Sequence, residues 1–151
     1  MWASGKTPGY GSYVRATWAT GIAIADGVNT RLKPWSRVYD HLTELVLDSG
    51  KGQFEPKHDG FYHITATCGI TGLAVAAGEG LRLHITKNGG GIGPGCLGTR
   101  DSDAADTTFA TVSLSAYLVV GDYIEIWAFQ NSGAAKNTAG SYNFITIERF
   151  A

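Results

Sequence analysis

Gly60-Phe61-Tyr62-His63-Ile64-Thr65-Ala66-Thr67-Cys68-Gly69-Ile70 is the stretch that decides the fold. In an extended chain, successive side chains point to opposite faces. Tyr62, Ile64, Ala66, Cys68 and Ile70 then share one face, apolar enough to belong to a core. Phe61, His63, Thr65 and Thr67 share the other. That second set is small, polar and partly aromatic. It matches neither a wet surface nor a core, but suits a face pressed against another copy of the same molecule. The stretch predicts a strand of a β-sandwich that assembles.

The same alternation recurs on both sides of it. Leu81, Leu83 and Ile85 alternate with Arg82, His84 and Thr86, and Asn88-Gly89 ends that run with a hairpin signal. Over residues 108–119, Val112, Leu114, Ala116 and Leu118 hold the core parity, while Thr111, Ser113, Ser115 and Tyr117 hold the other. Gly121-Asp122 makes a turn. Over residues 123–130, Ile124, Ile126 and Ala128 are core, and Tyr123, Trp127 and Phe129 point outward. Residues 142–150 close the chain. Before the opening stretch, residues 17–25 read as a first strand with Trp18, Thr20, Ile22 and Ile24 on one parity. Residues 28–33 form a short extended piece stopped by Pro34. Residues 42–48 read as a strand, although Leu42, Leu45 and Leu47 would also serve one helical turn. About eight strands at spacings of roughly eight to fifteen residues, without a helix, fit an antiparallel sandwich or jelly roll. Bulky aromatics on an outward face are a poor solvent surface. Phe61, His63, Thr65, Ser113, Ser115, Tyr117, Tyr123 and Trp127 are therefore the expected subunit interface.

Composition agrees. With 151 residues, of which 44% are hydrophobic, the chain is long enough for one domain with a full core. Its 21 glycines against one methionine favour many strands and tight turns. The net charge of −1, without a basic block, argues against a nucleic-acid partner. No run of about 18 apolar residues exists to cross a membrane as a helix, and residues 1–13 lack the continuous apolar segment of a secretory signal. Cys68 falls on the core parity and Cys96 in a Gly-rich loop, so two free thiols are expected rather than a disulfide scaffold.

Residues 1–16 are too rich in Gly, Ser and Pro for a regular element, yet contain Trp2, Tyr10 and Tyr13. They read either as a floppy terminus or as an arm that orders when its aromatics dock on a partner. The expected division is an arm at 1–16 and a jelly-roll domain at 17–151.

Nothing in the chain reads as catalytic. There is no Gly-x-Ser-x-Gly elbow, and His41, His58, His63 and His84 are scattered over different turns and strands. The glycines of residues 89–95 lack the Lys-Ser/Thr and the following helix of a phosphate loop. Asp101, Asp103 and Asp106 have the spacing that begins a calcium loop, but its ordered Gly and closing Glu are missing. No metal or cofactor is expected, and the chain reads as a non-enzyme.

Several pieces fall in one order. Gly52-Gln53-Phe54 precedes Gly60-Phe61-Tyr62. Residues 81–85 run into Lys87-Asn88-Gly89, and residues 114–119 into Gly121-Asp122-Tyr123-Ile124-Glu125-Ile126-Trp127. Asn143-Phe144-Ile145 begins the last strand. Over residues 20–150 this ordered set resembles the globular-head family of complement, within the tumour-necrosis-factor-like jelly rolls. The departures are the lack of a collagen-like stalk before the head and of the family's Phe-Ser-Gly in the last strand. The resemblance implies a ten-strand-type jelly roll and a tight homotrimer, with His63 near the trimer axis. It does not imply complement function, since heads of this family also resemble accessory proteins on bacteriophage particles.

The resulting expectation is a trimeric capsid decoration (cement) protein on the phage head surface. It would gather in the host cytoplasm during assembly and bind the major capsid protein or another virion protein, with Trp2, Tyr10 and Tyr13 as arm contacts. The alternatives are a receptor-binding tip of a tail fibre, acting through loops 89–106 and 131–141, or a secreted trimeric ligand of the complement or cytokine type.

Overall fold

The computed structural model describes residues 11–73, 78–92, 96–98, 107–139 and 143–150. In chain order its strands are β1 (Tyr13–Trp18), β2 (Ala23–Ile24), β3 (Thr30–Arg31), β4 (Trp35–Asp40), β5 (Leu45–Val46), β6 (Gln53–Phe54) and β7 (Gly60–Thr71). There follow β8 (Leu81–Lys87), β9 (Gly90–Gly91), β10 (Cys96–Gly98), β11 (Thr107–Leu118), β12 (Ile124–Gln130), β13 (Lys136–Asn137) and β14 (Phe144–Arg149). One sheet has the order β11-β7-β14-β1-β4. The facing sheet has the order β10-β8-β12-β6-β5, with β3 also on β12 and β9 on β8. All these strand pairings are antiparallel.

The core lies between the sheets and follows the alternation. Tyr62, Ile64, Ala66, Cys68 and Ile70 of β7 are fully buried, as are Leu81, Leu83 and Ile85 of β8 and Ile124, Ile126 and Ala128 of β12. Val14, Ala16 and Trp18 of β1, Trp35 of β4, Ala110, Val112 and Leu118 of β11, and Ile145 and Ile147 of β14 also belong to this core. Burial pushes the Cys68 thiol up to about 12, against a smaller opposite pull from Trp18, so this free cysteine is an apolar filler.

Two turns at one end of the sandwich are locked together. Asn88 and Gly89 carry φ values of 53° and 81° between the paired Lys87 and Gly90, the two-residue hairpin that an Asn-Gly pair favours. Asp122, nearly buried, accepts the backbone N–H of Val119 at 2.8 Å and the Asn88 amide at 2.7 Å, and pairs with the Lys87 ammonium at 2.8 Å. The Asn88 carbonyl in turn accepts the Tyr123 N–H at 2.9 Å. The β8–β9 turn and the β11–β12 turn are thus one polar unit.

Gly69 marks a close approach. A Cβ there would lie 2.8 Å from the Ala139 carbonyl, because the segment after β13 crosses β7 at this point, with Asn143 accepting the Gly69 N–H at 3.0 Å.

Three boundaries differ from the sequence expectation. The body does not begin at residue 17. β1 starts at Tyr13 and lies between β14 and β4, with Val14 fully buried. Ser12 donates its hydroxyl to the buried Glu44 carboxylate and accepts the Arg149 N–H at 2.9 Å. These long-range partners outweigh the weak local signal of a Gly-Ser-Tyr segment. The strand expected over 17–25 is split, because Gly21 turns the chain at φ 84° before β2. Residues 42–48 supply only the two residues of β5, after which Asp48–Gly50 makes one turn of 3-10 helix.

Asp122 generates a prediction with a definite sign. Its burial raises the carboxyl's pKa, but the hydrogen bonds from Lys87, the Val119 N–H and Asn88, with the Lys87 charge, outweigh that and hold it below its ordinary value. A lowered folded pKa stabilises above the unfolded value of about 3.9, and this contribution is lost as pH falls through the folded pKa. Asp122→Ala, which strands three donors, is expected to cost about 1–3 kcal/mol at pH 7. In urea melts, the gap to the parent should hold down to about pH 4 and narrow below it. A gap that is absent at pH 7, or that widens in acid, contradicts this role.

Candidate functional site

The outer face of the β11-β7-β14-β1-β4 sheet carries one continuous ladder. Thr67 is paired with Thr111, Thr65 with Ser113, His63 with Ser115 and Phe61 with Tyr117 across β7 and β11. The hydroxyls of Thr67 and Thr111 are 2.9 Å apart, as are those of Thr65 and Ser113. His63 bonds Ser115 through Nδ1 at 3.1 Å and Ser113 through Nε2 at 3.0 Å. Phe61 meets Tyr117 edge-on at 5.1 Å and stacks on Phe150 at 6.1 Å. Further across the sheet Tyr13 stacks on Tyr39 at 4.9 Å, and Arg15 lies over the Phe144 ring at 5.1 Å. A hydrogen bond to Tyr13, then partial burial, raises the Tyr39 phenol above its ordinary pKa.

This face concentrates exposed aromatic surface. Among the described residues, the exposed aromatics are Tyr13, Tyr39, Phe61, Tyr117 and Phe150, and all five lie on this side of the sandwich or at its edge. Phe61 is 46% exposed, Tyr117 51% and Phe150 59%. β11 is moreover the end strand of its sheet and twelve residues long. A long open edge is a template for pairing unless something covers it.

The opposite outer face is organised around a buried carboxylate. Glu125 on β12 is ion-paired with Arg31 of β3 and accepts the Gln53 amide at 2.8 Å and the Trp127 indole N–H at 3.3 Å. Next to it Trp127 is paired with His84 of β8, and Phe129 lies 5.7 Å beneath Arg82. Half-buried Trp127 forms one side of a cleft of about 310 Å³, lined also by Asn29, His84, Thr86, Gly89 and Gly91.

The residues expected in one interface therefore form two surfaces. Phe61, His63, Thr65, Ser113, Ser115 and Tyr117 are brought together on the first sheet. Trp127 belongs to the face of the second, on the far side of the core, and Tyr123, just before β12, sits at the β8–β9 turn with its hydroxyl beside Gly89. Alternation shows that a side chain points outward, but not from which sheet. Tyr13 lies in β1, whereas Trp2, Tyr10 and Asp101, Asp103 and Asp106 fall outside the described residues. Glu125, Arg31 and Gln53 carried no sequence signal, because they lie far apart in the chain and meet only through β12. Among the described residues no three of His, Cys, Asp or Glu converge as metal ligands would, and no helix is long and apolar enough to cross a membrane.

No protein-family model and no curated protein matches the sequence. Solved structures do match in shape. The PRD1 vertex protein P5 superposes with a TM-score of 0.61 at 19% identity, over 93% of this chain and 97% of that one. Murine APRIL gives 0.61 at 14% identity, covering 93% and 99%. The globular domain of zebrafish complement 1qA protein gives 0.60 at 11% identity, covering 93% and 98%. The fold is the tumour-necrosis-factor-like jelly roll. The resemblance drawn from the order of Lys-Asn-Gly and Gly-Asp is thus matched by the fold, and in this jelly roll those two motifs are the turns joined through Asp122.

The second face also makes a prediction. Glu125→Ala leaves the Arg31 and Gln53 donors without their acceptor and is expected to cost about 1–3 kcal/mol in chemical denaturation. The Trp127 indole, no longer tied, should show a changed emission. Unchanged stability together with unchanged emission contradicts the anchoring role of Glu125.

Proposed function

We propose that this chain is a non-enzymatic virion structural protein, a homotrimer that decorates the phage capsid surface and binds the major capsid protein or another virion protein. The observation that carries the assembly is the aromatic and hydroxyl face of β7 and β11. Burying the exposed half of one such ring contributes about 1 kcal/mol, and the ladder of paired hydroxyls offers bonds to a neighbour at no further ordering cost. Likeness to a vertex protein supports the virion placement. Trp2 and Tyr10 serve as arm contacts to the shell, and three arms per trimer raise the effective concentration of the second and third once the first has docked. The chain would gather in the host cytoplasm and end on the particle surface, without nucleic-acid or membrane partners. A receptor-binding fibre tip is the second reading, favoured by the cleft at Trp127 on the face turned away from the proposed interface.

Two measurements check this. Light scattering is expected to give a trimer at micromolar concentration, which Tyr117→Asp disrupts and Arg82→Asp does not, because only the first would bury a charge against a neighbour. A stable parent monomer contradicts the assembly. Deleting residues 1–10 spares Ser12 and β1 and should leave a folded trimer that no longer holds the particle. If the truncated protein still attaches to capsids while substitutions in loops 89–106 and 131–141 abolish attachment to cells, the tip reading replaces decoration.

A further inference from the structure

We infer that the cleft beside Trp127 is a binding site for a neutral saccharide unit, held by stacking on the indole and by hydrogen bonds from Asn29, His84 and Thr86. At about 310 Å³ the cleft falls at the small end of ligand sites, which run from about 300 to 1,000 Å³. It has room for a mono- or disaccharide rather than a long chain. One wall is a large aromatic, and the rest is an amide, a hydroxyl, an imidazole and two glycines. A sugar ring is built in the complementary way, with C–H groups on one face and hydroxyls around its rim. Aromatic rings bind the first, and uncharged donor-acceptor groups bind the second.

The indole is held ready for this. Its N–H is tied to Glu125, whose other oxygen is occupied by Arg31 and Gln53. The ring is thereby fixed in orientation before any ligand arrives, and a fixed platform loses little entropy on binding. Gly89 and Gly91 bring bare backbone to the rim. A side chain at Gly91 would have open space around it, and Gly89 is held by its turn at φ 81°.

The charges around the cleft select against an anion. Arg31 is engaged by Glu125, Arg82 lies over Phe129 and Lys87 is paired with Asp122. On the described strands β3, β8 and β12, Arg31 and Lys87 are thus neutralised by carboxylates inside the chain, and Arg82 is drawn to the Phe129 ring; none of the three lines the cleft. The cleft also lies on the opposite side of the core from the aromatic face of β7 and β11, so a trimer built on that face leaves it accessible.

The test uses the full-length protein carrying Trp2→Phe. Trp18 and Trp35 are buried, so a ligand-induced change in emission then reports on Trp127. Glucose, galactose, mannose, rhamnose, N-acetylglucosamine, lactose and maltose are titrated to about 100 mM, with saturation-transfer NMR in parallel. At least one is expected to bind with a millimolar Kd. Asn29→Ala and Thr86→Val, both changes to side chains outside the core, should each weaken it by about 3- to 10-fold. Trp127→Ala should abolish the NMR transfer. No response from any sugar overturns the inference. So does binding unchanged in the Trp127→Ala and Asn29→Ala proteins, or inorganic phosphate binding tighter than every sugar. The assay needs no particle, so its result is independent of whether the protein sits on a capsid.

Discussion

The end-to-end pairing of β7 with β11 is the constraint on which the molecule depends. Twelve residues of one strand face twelve of the other in a single unbroken register. A slip of one position would turn every side chain to the wrong face. Tyr62, Ile64 and Ala66 would leave the core, and His63, Thr65 and Thr67 would enter it without partners. The register therefore fixes two things at once. It closes the sandwich on its inside, and it aligns the hydroxyl and aromatic ladder on its outside. Each cross-strand pair contributes only about 0.2–1 kcal/mol. The inside burial sets the register, and the outside ladder follows from it.

The two ends of this pair are secured by different means. At the Gly60 end, β11 runs into the turn held by Asp122, whose carboxylate also holds the Asn88-Gly89 hairpin of the other sheet. That bond network joins the sheets beside the buried Leu118, Tyr62, Phe54 and Ile124. At the Thr71 end, the Gly69 backbone admits the crossing segment after β13. Between these anchors the sheets are free to present unlike outer faces. One is aromatic and hydroxyl-bearing and suited to other copies of the chain. The other is arranged about Glu125 and keeps Trp127 beside an open cleft.

Much of this was legible in the chain. Strict alternation in residues 60–70, 81–87 and 123–130 gave the core residues, and Asn88-Gly89 gave the hairpin, because these signals act locally. The beginning of β1 was not legible. Ser12 and Tyr13 sit in a segment whose composition suggests a loop, and Glu44, Arg149, β4 and β14, all distant in sequence, make it a strand. The division of Trp127 from Tyr117 was hidden for a related reason. Alternation is identical on both sheets, and only strand order separates them. The cleft itself needs β3, β8, β9 and β12 to be adjacent, a relation that no single window of sequence contains.

In the proposed trimer the outer face of β7 and β11 is covered by other copies of the chain. Hydroxyl-radical footprinting of the untagged protein, read residue by residue, tests it directly. In one chain alone, Phe61, Tyr117 and Phe150 are about half exposed, whereas Trp127 and Phe129 are less exposed. In solution the reverse order is expected, with Phe61 and Phe150 oxidised more slowly than Phe129. Fast oxidation of Phe61, Tyr117 and Phe150, in proportion to their exposure in the single chain, would contradict it.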